Sequence, residues 1–211
     1  MSELRPQGAP LTLNFIDQLS MERERLALLA GGGIAAPAAG AIYWAALSVL
    51  GLYASPTTWC LVAFVTTGLL FPLALLLQRP TRSNIMVKES PVAGAGMVGF
   101  VNVAVGWAIT IPAFHTNSQL VPLTLGIGMS LHFVSIGWSY GSRVLMFHPL
   151  VRALVLVVLW YVLPAHRFTA MPLAVALIYL VTIALLLREL SSFRQRAIPS
   201  QPPGADSLRS R

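Results

Sequence analysis

Read for polarity alone, the chain alternates long apolar runs with short polar links. The apolar runs cover about 26–53, 57–77, 91–114, 120–138, 147–163 and 170–187. A helix of roughly 20 apolar residues crosses the hydrocarbon core of a bilayer. Lipid offers no partners to backbone N–H and C=O groups, so a spanning segment is a helix or a strand of a closed barrel. Barrel strands alternate in polarity, and these runs do not. The expected fold is therefore all-α: a polytopic membrane helix bundle of six spans, paired as three hairpins (1–2, 3–4 and 5–6) with short outer links.

The first run is over-long. It opens with Gly31, Gly32 and Gly33, and Pro37 follows. A bend or a close helix contact is expected there. Ahead of it, residues 1–25 form a polar cytoplasmic segment, with 1–10 expected to be disordered. Residues 11–25 mix Leu11, Leu13, Phe15, Ile16 and Leu19 with charged side chains. Either a short interfacial helix running into span 1 or a simple cytoplasmic extension of span 1 fits that mixture. No cleavable signal is read here, so span 1 is expected to act as its own insertion signal. Residues 26–188 form the six-span domain. Residues 189–211 read as a cytoplasmic, largely disordered tail.

Charge fixes the expected orientation. Of the 14 Lys and Arg, twelve fall on the side of the termini, Arg167 alone falls on the other, and Arg152 lies inside span 5. The positive-inside rule then puts both termini in the cytoplasm. The chain is 56% hydrophobic and 10% charged, against about 25% charged for a soluble domain. The net charge of +7 is accounted for by orientation and by anionic lipid, so no nucleic-acid partner is expected. The Arg-rich, Lys-poor usage and the Ala/Leu/Val richness suggest a GC-rich bacterium, and the expected location is its inner (cytoplasmic) membrane. Cys60 is the one cysteine, which leaves no internal disulfide. Tyr53, Trp59, Phe114, Trp138, Trp160 and Tyr161 fall toward span ends, as an interfacial belt requires. Trp44 and Trp107 sit deeper and read as packing, with lining a path as the alternative.

Chemistry is most concentrated between Leu123 and Arg152. At 100° per residue, Thr124, Gly128, His132, Ser135, Ser139 and Ser142 share an arc of about 80° on span 4. Span 3 carries a matching stripe of Gly99, Asn102, Gly106 and Thr110. Spans 3 and 4 are expected to be antiparallel neighbours, so Asn102, Thr110, His132, Ser135 and Ser139 are the candidates for a polar seam or small-ligand site. The competing reading is interhelical hydrogen bonding, worth about 0.6–2 kcal/mol per contact. His148 and Arg152 are four apart at the cytoplasmic end of span 5. With Arg143 they are candidates for binding an anion or a lipid headgroup. The alternative for these three is snorkelling of long side chains plus the orientation signal.

What is missing narrows the function. All seven acids lie outside the spans, which argues against proton or sodium coupling through an intramembrane carboxylate. The four histidines are scattered and Cys60 stands alone, so no metal site is expected. Ser130 and His132 point about 160° apart on a helix and cannot form a catalytic dyad. The glycines of AGAGMVG at 93–99 read as a packing surface rather than a nucleotide loop. No cofactor and no catalytic residues are expected, and an enzyme is not. The expected function is a multi-pass membrane protein that binds or transports a small solute along the span 3–4 seam. The alternative is a non-catalytic scaffold, accessory or lipid-interacting protein. With only six helices, transport is expected to involve a homodimer.

Overall fold

The computed structural model describes residues 14–94 and 98–197. Of the described residues, 84% are helical and none is in a strand. The helices are α1 (Phe15–Leu29), α2 (Ala35–Leu50), α3 (Pro56–Thr67), α4 (Leu70–Thr81), α5 (Val98–Thr116), α6 (Val121–Gly128), α7 (His132–Tyr140), α8 (Arg143–Val162) and α9 (Arg167–Ala197). Among the described residues, four stretches are long and apolar enough to cross a membrane: Gly31–Leu50, Ser118–Tyr140, Arg143–Val162 and Pro164–Arg196. A fifth results if the bent pair α3–α4 is one span. The six-span, three-hairpin arrangement is thus not evident from helix length and composition alone.

The over-long first run is two helices. Asn14 caps α1 by accepting from the Asp17 N–H at 2.9 Å. Gly31, Gly32 and Gly33 all have φ between 59° and 70°, a left-handed region that costs an L-residue about 1–2 kcal/mol. This turn separates α1 from α2. A Cβ on Gly31 would lie 2.2 Å from the Arg82 carbonyl oxygen, so the site needs glycine twice over. Leu26 and Ala27 therefore belong to α1 and not to the first span.

The second run bends by 58° between α3 and α4. Two causes coincide there. Pro72 lacks an N–H, and its ring crowds the carbonyl four residues back, at Gly68. Thr66 and Thr67 also donate their hydroxyls to the Val62 and Ala63 carbonyls at 2.7 and 2.6 Å, a pattern that bends helices. Tyr43 on α2 braces the bend, donating to the Ala63 carbonyl at 2.7 Å and lying 2.9 Å from the Thr67 hydroxyl.

The fourth run is also interrupted, at 129–131, between α6 and α7. At the far end of the chain, α9 continues to Ala197, beyond the expected end of span 6. Leu186, Leu190 and Phe193 recur at helical spacing and are buried, which extends the packed face past the apolar run. The 189–197 part of the expected disordered tail is therefore helical, while the expectations for 1–10 and for 198–211 lie outside the described residues.

In the core, α2 packs against α4 and α9, and α6 against α5, α8 and α9. Trp44, Trp59, Phe133, Leu125, Leu145 and Leu156 are fully enclosed there. Trp59 is no belt residue: it donates Nε1–H to the Leu47 carbonyl at 2.8 Å. The outer surface is apolar instead. Leu150, Leu154, Val158, Tyr161 and Val162 on α8 and Leu173, Leu177 and Leu180 on α9 are exposed. A soluble protein does not present apolar surface on this scale, whereas a membrane bundle requires it.

The two ends of the bundle differ. At one end Glu24 pairs with Arg196 at 2.9 Å, Arg25 with Glu22 at 2.9 Å, and Arg23 donates to the Trp138 carbonyl. The 82–90 loop and the 141–143 turn join this end, the first through the Asn84 N–H to the Ala30 carbonyl at 3.0 Å. At the other end Ser48 donates to the Thr169 carbonyl at 2.9 Å, and Trp59 stacks edge-on against Phe168. Among the described residues, Arg167 is the one Lys or Arg at that end.

Candidate functional site in the bundle core

The span 3–4 seam is closed by its own polar groups. Asn102 donates Nδ2 to the Ser135 hydroxyl at 3.1 Å and to the Leu131 carbonyl at 3.3 Å. Thr110 donates to the Gly106 carbonyl at 2.8 Å. Ser139 donates to the Ser135 carbonyl at 2.9 Å. Gly106 and Gly128 bring their backbones so close that a Cβ on either would lie 2.8 Å from the other's Cα. The gap beside them has no room for a water molecule. His132 lies against Gly99 of α5 through its Cβ, but its ring turns to Phe133, centroid to centroid 4.1 Å. The structure thus brings Asn102 and Ser135 together and keeps the His132 ring apart from that pair.

The basic trio is divided. Arg143 is exposed at the start of α8. His148 is 3% exposed and Arg152 is 0% exposed, so Arg152 does not snorkel and neither side chain is at a headgroup surface. Arg152 is the tenth of the 20 residues of α8, which puts it at mid-helix. A charge at that depth is costly, about 3 kcal/mol on insertion scales and more by other estimates.

Three neighbours surround the guanidinium. Nη2 donates to His148 Nε2 at 2.6 Å. Nη1 donates to the Gly126 carbonyl at 3.4 Å. The Tyr179 ring lies 4.2 Å from Cζ, in cation–π geometry. His148 Nδ1 meets the Thr182 hydroxyl at 2.7 Å, and that hydroxyl donates onward to the Ile178 carbonyl at 2.8 Å. A hydroxyl has one hydrogen, so Thr182 accepts from His148 Nδ1–H. The His148 ring is then the tautomer whose Nε2 lone pair receives Arg152. The direction runs one way: Arg152 to His148 to Thr182 to Ile178.

The Gly126 carbonyl is available for a local reason. In an α-helix it would accept from the Ser130 N–H. Here that N–H goes to Ile127 at 2.9 Å, and Leu131 N–H goes to Gly128 at 3.3 Å. This tightening to 3₁₀ spacing ends α6 and frees Gly126, toward which Arg152 reaches. Gly126 must also be small, because a Cβ there would lie 2.5 Å from Leu156 Cδ1. Likewise a Cβ on Gly40 would lie 2.5 Å from the Tyr179 ring.

Among the described residues, three buried nitrogens have no hydrogen-bond partner: Arg152 Nε, Trp44 Nε1 and His132 Nδ1. Buried polar groups are paired in the great majority of cases, so the unpartnered Nε leaves the Arg152 guanidinium with a donor unspent. No group of three metal-ligating side chains occurs among the described residues. The sequence pattern did not reveal Tyr179 or Thr182. The signal was present on span 6, where Tyr179 and Thr182 are three apart and so share a face of an otherwise aliphatic helix.

Fold and site together define an all-helical bundle with membrane-length apolar helices and one enclosed cationic centre. Residues 19–189 match a family of unknown function, DUF7010; the chain belongs to that family, and the match includes every residue of the Arg152 cluster. No curated protein and no solved structure matches the chain.

Proposed function

We propose that the chain is a six-span, non-enzymatic membrane protein that binds or transports a small solute in its core, around Arg152. The observation that carries this reading is the Arg152 guanidinium, completely enclosed at mid-helix with Nε unpartnered. A structural role alone would be served by an apolar side chain of similar volume, often with a gain in stability. In this reading α5 is span 3: its 19 residues pack against α6 and α7 and make the hairpin 3–4. The charge difference between the two ends supports both termini lying in the cytoplasm, at a bacterial inner membrane. Exposed arginines at that end fit contact with anionic lipid. A homodimer remains part of the proposal for transport.

The second reading is a scaffold or accessory protein. The sealed Gly106–Gly128 contact favours it, because close small-residue packing is how membrane helices associate without a ligand.

Thiol labelling separates the readings. In a Cys60→Ser background, Thr182→Cys places a thiol at the core cluster and Ser135→Cys one at the seam. An impermeant thiol reagent is applied to intact cells and to inverted vesicles. The core reading expects labelling at 182 and protection at 135. Labelling at 135 alone would return the site to the seam. Protection of both in folded protein would favour the scaffold.

A further inference from the structure

We infer that the solute held at Arg152 is a small monovalent anion, of the size of chloride or nitrate. The inference rests on the core-site reading above and adds the ligand class. Its first support is uncompensated charge. Every described acid is elsewhere: Asp17, Glu22 and Glu24 are on α1, Glu89 is in the 82–90 loop, and Glu189 is engaged at the start of α8. There Glu189 accepts from the Ser142 hydroxyl and from the Arg143 N–H. Arg152 lies nine residues further along α8, about 13 Å by helical rise.

The second support is the chemistry of the lining. The partners of the guanidinium are an imidazole nitrogen, a carbonyl and an aromatic face, all neutral. The unsatisfied group of the cluster itself, Arg152 Nε–H, is a donor that cannot accept. The Trp44 ring approaches the same glycine that Arg152 contacts, coming within 3.8 Å of a Cβ built on Gly126. With one positive charge and none of the described carboxylates beside it, the site repels cations. A neutral solute would leave the charge unbalanced.

Valence and size follow. One guanidinium balances one negative charge, and a dianion would leave an excess buried charge. The enclosure of Arg152 admits only a small ion, and entry requires the cluster to open. The interruption between α6 and α7 supplies a place for this, because the Arg152–Gly126 contact is long at 3.4 Å and sits beside it. In the ion-bound state the anion takes the place of the Gly126 carbonyl as acceptor.

The test uses the full chain in lipid nanodiscs. Thermal unfolding is followed while sodium gluconate is replaced by sodium chloride or sodium nitrate at constant ionic strength. A ligand that binds only the folded state raises Tm in a saturable way. The expected result is a saturable rise of a few degrees with chloride or nitrate in the natural chain. Arg152→Lys keeps the rise with weaker half-saturation, and Arg152→Met folds and loses it. No saturable rise in the natural chain would overturn the inference, and that arm needs no variant. An equal rise in Arg152→Met would also overturn it, placing the anion elsewhere. Thr182→Cys labelling without an anion effect would leave the core site standing and remove the anion. Failure of both would remove both.

Discussion

Arg152 donates to His148 Nε2 at 2.6 Å, one turn back on the same helix. Because His148 passes its other N–H to Thr182, the arginine on α8 is tied to α9 through a single ring. His148→Ala breaks both bonds and leaves a buried cation short of an acceptor. A loss of about 2–3 kcal/mol in unfolding free energy is expected, in the range for hydrogen bonds to charged groups. In the double variant with Arg152→Met the loss should shrink, since no charge remains to be left unpaired. A double-mutant cycle read by unfolding in nanodiscs checks this, with a coupling of at least about 1 kcal/mol expected.

The glycine turn between α1 and α2 gives a sharper structural prediction. Gly31→Ala meets both a positive φ and the Arg82 carbonyl oxygen at 2.2 Å. The backbone term alone is about 1–2 kcal/mol, and the clash adds to it. Gly68→Ala is the control: its φ is −61° and the nearest atom to a built Cβ is 3.9 Å away. It is expected to be neutral or slightly stabilising. Thermal unfolding of the two variants side by side settles the contrast.

At the charged end, Glu189 reaches from α9 to the start of α8. Ser142 caps α8 through its hydroxyl, which accepts from the Leu145 N–H at 3.2 Å, and Glu189 holds that same hydroxyl together with the Arg143 N–H. A carboxylate at a helix N-terminus is favourable. Glu189→Ala should cost about 1–3 kcal/mol and increase amide exchange at 143–146, which hydrogen–deuterium exchange reads directly.

Asn102→Ala removes the two bonds that close the seam. The expected cost is about 0.6–2 kcal/mol. It should leave thiol labelling at position 182 unchanged, because the seam and the core cluster are separate.

The apolar runs were legible in the sequence, since period and length alone mark membrane-length helices. The interruptions were only partly legible. Gly31–Gly33 announced a bend, but the close approach of the Arg82 carbonyl to Gly31 is something no local pattern reveals. The break at 129–131 gave no signal, because Met129, Ser130 and Leu131 are compatible with a continuous helix. The depth of Arg152 was readable from its place in span 5. Its burial was not, because that depends on Tyr179 and Thr182, about 30 residues onward, and on a carbonyl freed by a 3₁₀ turn in span 4. The polar stripes on spans 3 and 4 named both Asn102 and Ser135, which the structure joins by a hydrogen bond, while the costliest group turned to a different interface.

The central claim is that the Arg152 cluster is a solute site reached by water, and hydroxyl-radical footprinting of the natural chain in nanodiscs tests it most directly. Tyr179 is 4% exposed, so in a sealed bundle it reacts no faster than Trp59, which is 0% exposed. The account predicts clear modification of Tyr179 well above that of Trp59, and a change in its rate when chloride replaces gluconate. Equal protection of the two residues under both salts would contradict it, and would leave the cluster as an element of packing.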